Sequence, residues 1–181
     1  MKAKVLISAL LVGLLSTVVM LSGSNESSAN HLDELTKHWM VNKSSFDELV
    51  TLVTPLEEYK LTSIMLNGEG TLSITSDIGF SLENTLEEKI IQLMNKINIS
   101  RIRFSSTVIT LSEFNAAIGD DLETMIRLTS SYMFYLQKMN DVGHDESCTN
   151  IKMPPTKTTA CDLILNDKWV IAHSIIVPST K

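Results

Sequence analysis

The sequence predicts an α+β domain in which helices pack on one face of an antiparallel sheet, preceded by an N-terminal signal or membrane-anchor helix. Three observations carry this expectation. Lys2 and Lys4 precede an uncharged apolar run from Val5 to Leu21. A strongly amphipathic stretch runs from Leu82 to Ile97, and β-branched segments paired around short polar turns fill most of the remainder. Residues 1–29 are therefore read as the targeting segment and residues 30–181 as a single exported domain. No internal repeat or interdomain linker divides that second part.

A basic start, an apolar core and the polar stretch Ser22 to Asn30 have the layout of a secretory signal. Ser27 and Ala29 offer one cleavage position before Asn30, and Ser22 and Ser24 an earlier one. The apolar run of 17 residues is also close to the length of a membrane-spanning helix. Cleavage and retention as an anchor, with residues 5–21 in the membrane, both stay open. Either way the remainder is expected outside the cytoplasm, periplasmic or secreted, or held at the inner membrane by its N-terminus.

The elements follow in order. From His31 to Met40, Leu32, Leu35 and Trp39 fall on one helical stripe. A second helix is expected to open at Ser44 or Ser45, where Asp47 or Glu48 could complete a capping box. It continues through Phe46, Leu49, Val50 and Val53 until Pro55 limits it. Strands Lys60 to Leu66 and Thr71 to Thr75 flank Asn67-Gly-Glu-Gly70, a hairpin signature, with Leu72 and Ile74 facing inward. In the stretch from Leu82 to Ile97, residues Leu86, Ile90, Leu93, Met94 and Ile97 line one side, and Glu87, Glu88 and Gln92 the other. Ile99 to Phe104 and Thr107 to Phe114 read as strands. Thr124 to Lys138 carries both periodicities, and its run of Thr, Ser and aromatic residues favours a strand. Cys161 to Leu165 and Trp169 to Val177 form a second hairpin around Asn166-Asp-Lys168. Helices followed by a meander of hairpins is the resulting layout.

Cys148 and Cys161 are the only cysteines. In an oxidising compartment they are expected to form one disulfide across the loop containing Met153, Pro154 and Pro155. A metal site built from His144, Cys148, Cys161 and His173 matches no ordinary zinc spacing, and exported thiols tend to oxidise.

Chemistry is sparse. There is no G-x-S-x-G elbow, S-x-x-K, H-E-x-x-H or glycine-rich phosphate loop. His31, Asp33, Glu34 and His38 could hold a metal, but read more simply as a solvated polar face opposite Leu32, Leu35 and Trp39. Gly68-Glu-Gly70 and Gly119-Asp-Asp121 read as turns, and Glu87 and Glu88 as a solvated helix face. His173 falls in the last strand beside Trp169 and Ile171, where packing and a hydrogen bond are the expectation. Tyr132, Phe134, Tyr135 and Trp169 are expected in the core rather than on a binding surface. Asn25, Asn42 and Asn98 begin N-x-S/T sequons, relevant only in a eukaryotic secretory pathway.

A formal net charge of −6 and a pI near 5.2 argue against nucleic acid as a partner. No cofactor, metal or catalytic residue is assigned. The expectation is a non-enzymatic envelope protein acting by protein–protein contact, either accessory or immunity- or inhibitor-like. Its partner is an envelope protein whose identity the sequence does not disclose. The competing readings are a small envelope hydrolase seeded by His144, Asp145 and Glu146, and a small-molecule carrier with an apolar cavity.

Overall fold

A computed structural model of the chain describes residues 31–118, 126–137, 148 and 158–177. The N-terminal segment, the Gly119 to Asp121 turn, the loop of His144, Asp145 and Glu146, the two prolines after Met153 and the Asn25 sequon lie outside those residues. The elements are α1 over 31–53, a 3-10 turn at Thr54–Tyr59, β1 Leu61–Leu66, β2 Leu72–Ser76, α2 Asn84–Lys96, β3 Arg101–Phe104, β4 Val108–Ile118, β5 Ile126–Tyr135, β6 Thr159–Ile164 and β7 Trp169–Ile176. The strands form one antiparallel sheet in the order β2-β1-β3-β4-β5-β7-β6. The domain is thus α+β, and residues 124–138 are a strand over most of their length.

Two expectations about the elements need correction. The expected pair of helices between His31 and Pro55 is one continuous helix. Nothing in Met40-Val-Asn-Lys43 breaks a helix, and local bonds carry it through. Asn42 Nδ2 donates to the His38 carbonyl, and Lys43 pairs with Asp47 at 2.6 Å. Ser45, offered as a cap, is a buried interior residue. Pro55 does limit α1, entering the 3-10 turn at its first positions, where a missing N–H costs nothing. The second correction is topological. The first hairpin precedes α2 instead of following all the helices, and β7 inserts between β5 and β6, so the sheet is not a simple meander.

Alternation decides the core. Ile64, Ile102, Ile109, Leu111, Tyr132, Trp169 and Ile171 point to the helix side and are buried there with Phe46, Leu49 and Val53 of α1 and Ile90, Met94 and Ile97 of α2. Lys89 of α2 pairs with Glu48 of α1 at 2.7 Å across the helix–helix seam. Helix α2 ends in a Schellman arrangement. Asn98 takes a left-handed φ of 51°, its N–H bonds the Asn95 carbonyl, and the Ile99 N–H reaches the Met94 carbonyl at 2.8 Å. The expected turn at Gly68 to Gly70 is present: Asn67 Oδ1 accepts from the Glu69 and Thr71 N–H groups, and Gly70 takes φ 77°. Glu88 is exposed, as expected of the solvated side of α2.

Cys148 and Cys161 are joined as a disulfide, a bond that persists in oxidising, extracytoplasmic compartments. No helix among the described residues is long and apolar enough to cross a membrane. The bond closes a separation of 13 residues, worth about 3 kcal/mol in the chain-entropy account. A thiol-reactive label is therefore expected to modify the native chain only after reduction. Reduction should lower the thermal midpoint without abolishing the cooperative transition. Quantitative labelling of unreduced protein would contradict the bond.

Candidate functional site

Polar groups are rare on the helix-facing side of the sheet, and those present converge on α1. Alternation along β5 puts Leu128, Ser130, Tyr132 and Phe134 on that side, and along β7 Trp169, Ile171, His173 and Ile175. In register, Ser130 lies opposite His173, and His173 opposite Cys161 of β6. A serine, a histidine and the disulfide thus form one lateral row beneath α1. Ser130 and His173 are buried.

The Ser130 hydroxyl stands 2.7 Å from His173 Nδ1 and 3.3 Å from His31 Nε2 at the near end of α1. The two imidazole rings are 5.9 Å apart. One step along β5, the Tyr132 hydroxyl donates to the Leu35 carbonyl at 2.7 Å and meets His38 Nδ1 at 3.1 Å. Its only proton being used on Leu35, the phenol accepts from His38, which fixes the proton on Nδ1. Farther on, Trp169 Nε1 donates to Asp47 Oδ1 at 2.9 Å. The contacts advance along β5 and its partner strand as α1 advances from His31 to Asp47.

The bland reading of His31 and His38 as part of a solvated face is therefore overturned. Both are half-buried against β5, because steps of four and three from His31 to Leu35 and His38 keep the imidazoles on the edge of the apolar stripe. Asp33 and Glu34 are exposed and take no part in the hydrogen bonds. Tyr132, Phe134 and Trp169 belong to the core, in ring contact with or through Phe46, whereas Tyr135 faces the opposite side with Val170.

Burial disfavours charge on all three histidines. For His173 burial, reinforced by the neighbouring His31, pushes the imidazole down to about 4. The Glu34 carboxylate partly opposes the effect at His31. Burial also raises the Tyr132 phenol well above its ordinary range, so it stays protonated.

These shifts carry a sign. A histidine whose folded value lies below its unfolded one binds fewer protons in the native state, so stability is complete above about pH 6.5 and is lost as pH falls toward 4. At about 1.4 kcal/mol per unit, His173 is expected to contribute roughly 2–3 kcal/mol to that loss. Urea midpoints at pH 7 and pH 4.5 should differ more for the native chain than for His173→Gln. Identical pH dependence in the two would remove His173 from the account.

As chemistry, the Ser130–His173 pair has the distance of a nucleophile and base but lacks the rest of such a site. His173 Nε2 is buried with no hydrogen-bond partner, where a triad would place an orienting carboxylate. The serine is only 4% exposed, too little for a substrate to reach it. No group of three or more His, Cys, Asp or Glu side chains among the described residues is placed to hold a metal ion. A cavity of about 350 Å³ lies elsewhere, between the β1–β2 turn and the end of α2, lined by Asn67, Asn95, Asn98 and Ser100 above Met94. No protein-family model matches the chain, and no curated protein or solved structure shows significant similarity to it.

Proposed function

We propose that the chain is an exported, non-enzymatic domain that acts by protein–protein contact in the cell envelope, as an accessory or inhibitor-like component. It would be delivered or anchored there by residues 1–29, and periplasmic in location if the host has two membranes. The observation that supports this reading is the asymmetry of the sheet. Both helices lie on one face, and no helix among the described residues lies on the other. That second face carries Ser131, Met133, Ala172 and Ser174 at its centre, with Arg101 and Arg103 toward one edge and Asp162 and the exposed Ile164 toward the other. A sheet face of small and apolar groups with charges toward its edges, in which Tyr135 and Val170 are already buried at one end, is suited to contact with another protein rather than to catalysis. The hydrolase reading draws no support from Ser130 and His173, which are sealed beneath α1. The described cavity mixes Asn67, Asn95, Asn98 and Ser100 with Leu66, Met94 and Ile99, unlike the predominantly apolar chamber of a carrier.

The test is position-dependent photocrosslinking in intact cells. A crosslinker at Ser131 should capture one defined protein, and the same group at Ser73 on the edge strand β2 should not. Ile164→Glu, at an exposed position on the same face, should weaken the capture while leaving the thermal midpoint within a few degrees. No capture from any position, together with stoichiometric binding of a small molecule by the purified chain, would overturn the reading.

A further inference from the structure

We propose that His31, Ser130 and His173 form an acid-operated latch that clamps the His31 end of α1 to the sheet at neutral pH and releases it on acidification. One hydroxyl is shared between an imidazole on the helix and an imidazole on a strand, at 3.3 and 2.7 Å. A hydroxyl has a single proton to give, so it donates to one ring nitrogen and accepts from the other. That arrangement requires one of the two nitrogens to be bare. When both rings are protonated, both nitrogens are donors and the hydroxyl proton is left without an acceptor. Two cationic rings then stand 5.9 Å apart, one buried and one half-buried. Protonated His173 also carries an N–H at Nε2, which is buried where no partner exists.

The surrounding groups do not relieve this. From α1, Glu34 favours charge on His31 but is exposed, and His38 is engaged with Tyr132. From β5, the Tyr132 phenol remains protonated and donates to the Leu35 carbonyl. From β6, Cys161 is bonded to Cys148 and cannot titrate, and alternation turns Asp162 to the other face. Burial depresses both histidines, so the strain appears only in acid.

The two histidines differ in what can yield. His173 is held on both sides, opposite Ser130 of β5 and Cys161 of β6. His31 is half-buried and held by one long hydrogen bond, so the helix end leaves and the strand stays. Release is expected to stop near Leu35, whose carbonyl is held by Tyr132 and whose side chain begins the buried stripe.

The test is amide hydrogen exchange on the full chain between about pH 7.5 and 3.5, a range that passes through the His173 value of about 4, corrected for the intrinsic rate. Protection of the Leu35 and Thr36 amides, whose helical acceptors are His31 and Leu32, should fall at least tenfold across that range while β4 and β5 stay protected. The double variant His31→Gln, His173→Gln should abolish the change. Unaltered protection at about pH 3.5, loss of the whole sheet in one step, or an unchanged response in the double variant would each overturn the latch. Should that variant not fold, imidazole titration of the native chain by NMR replaces it: the midpoint of His31 must coincide with the loss of protection, and a mismatch overturns the proposal.

Discussion

Trp169→Ala is expected to lower the unfolding free energy by about 3–5 kcal/mol, the range for deleting a buried aromatic side chain that the core cannot refill. Trp169 is 1% exposed and sits where α1 meets strands β5 and β7. Its ring lies 5.6 Å from Phe46 and 6.4 Å from Trp39, both on α1, and 5.1 Å from Phe134 on the adjoining strand. Its indole N–H holds Asp47, 122 positions away in the chain. Truncation leaves a void bordered by rings from a helix and a sheet, neither of which can shift without breaking ladder or helix hydrogen bonds. Trp169→Phe separates the contributions. It keeps most of the volume and loses the Asp47 bond, so it should cost about 1–2 kcal/mol. Urea unfolding of both variants at neutral pH measures the difference. Near-equal losses would mean that the hydrogen bond, and not the aromatic packing, joins α1 to the sheet.

The polar contacts along α1 then have a role apart from strength. An apolar stripe such as Leu35, Trp39, Phe46, Leu49 and Val53 can slide along a sheet face at modest cost. The bonds from Tyr132 to Leu35, His31 to Ser130 and Trp169 to Asp47 each tie one helix position to one strand position. Partly satisfied polar groups in a core are costly if mispaired, so they fix which arrangement is populated. His173 Nε2 and Trp39 Nε1, both buried without a partner, mark where this satisfaction is incomplete. At His173 burial, reinforced by the neighbouring His31, disfavours the charged ring.

Much of the fold was legible because its signals are local. The alternation of Leu72, Ser73, Ile74 and Thr75, the steps of Ile90, Leu93 and Ile97, and the Asn67-Gly pair each speak within a few residues. The division of 31–53 into two helices failed because Ser44 and Ser45 carry cap chemistry wherever they stand. Continuation through them depends on Phe46 and Leu49 finding Tyr132 and Trp169, far away in the chain. The histidine cluster was illegible for a related reason. Ser130 and His173 meet through a strand register spanning 43 positions, which neither periodicity nor spacing encodes. One signal was present. Ser130 interrupts the apolar row Leu128, Tyr132, Phe134, and His173 interrupts Trp169, Ile171, Ile175. A polar group in a buried row requires a partner, and two such interruptions on neighbouring strands are candidates for each other.

The helix α2 supplies the second large effect. Ile90→Ala is expected to cost about 2–5 kcal/mol. Ile90 is completely buried, and Leu93, Met94 and Ile97 on the same stripe are buried beside it. The position is mid-helix in a segment bounded by Asn84 and Lys96, so fraying cannot relieve the void. Helix α2 shares its core with Ile64 and Ile102 of the paired strands β1 and β3, the half of the sheet that no tie from α1's histidines reaches. Loss of packing there falls back on the solvent-exposed Lys89–Glu48 pair, which contributes little. Glu88→Ala, exposed on the same helix, should change stability by less than about 0.5 kcal/mol, because alanine has the better helix propensity and no buried partner is lost. Urea melts of the two variants side by side isolate burial from helix propensity. A small and equal shift in both would show that the stripe carries no load and that α1 alone covers the sheet.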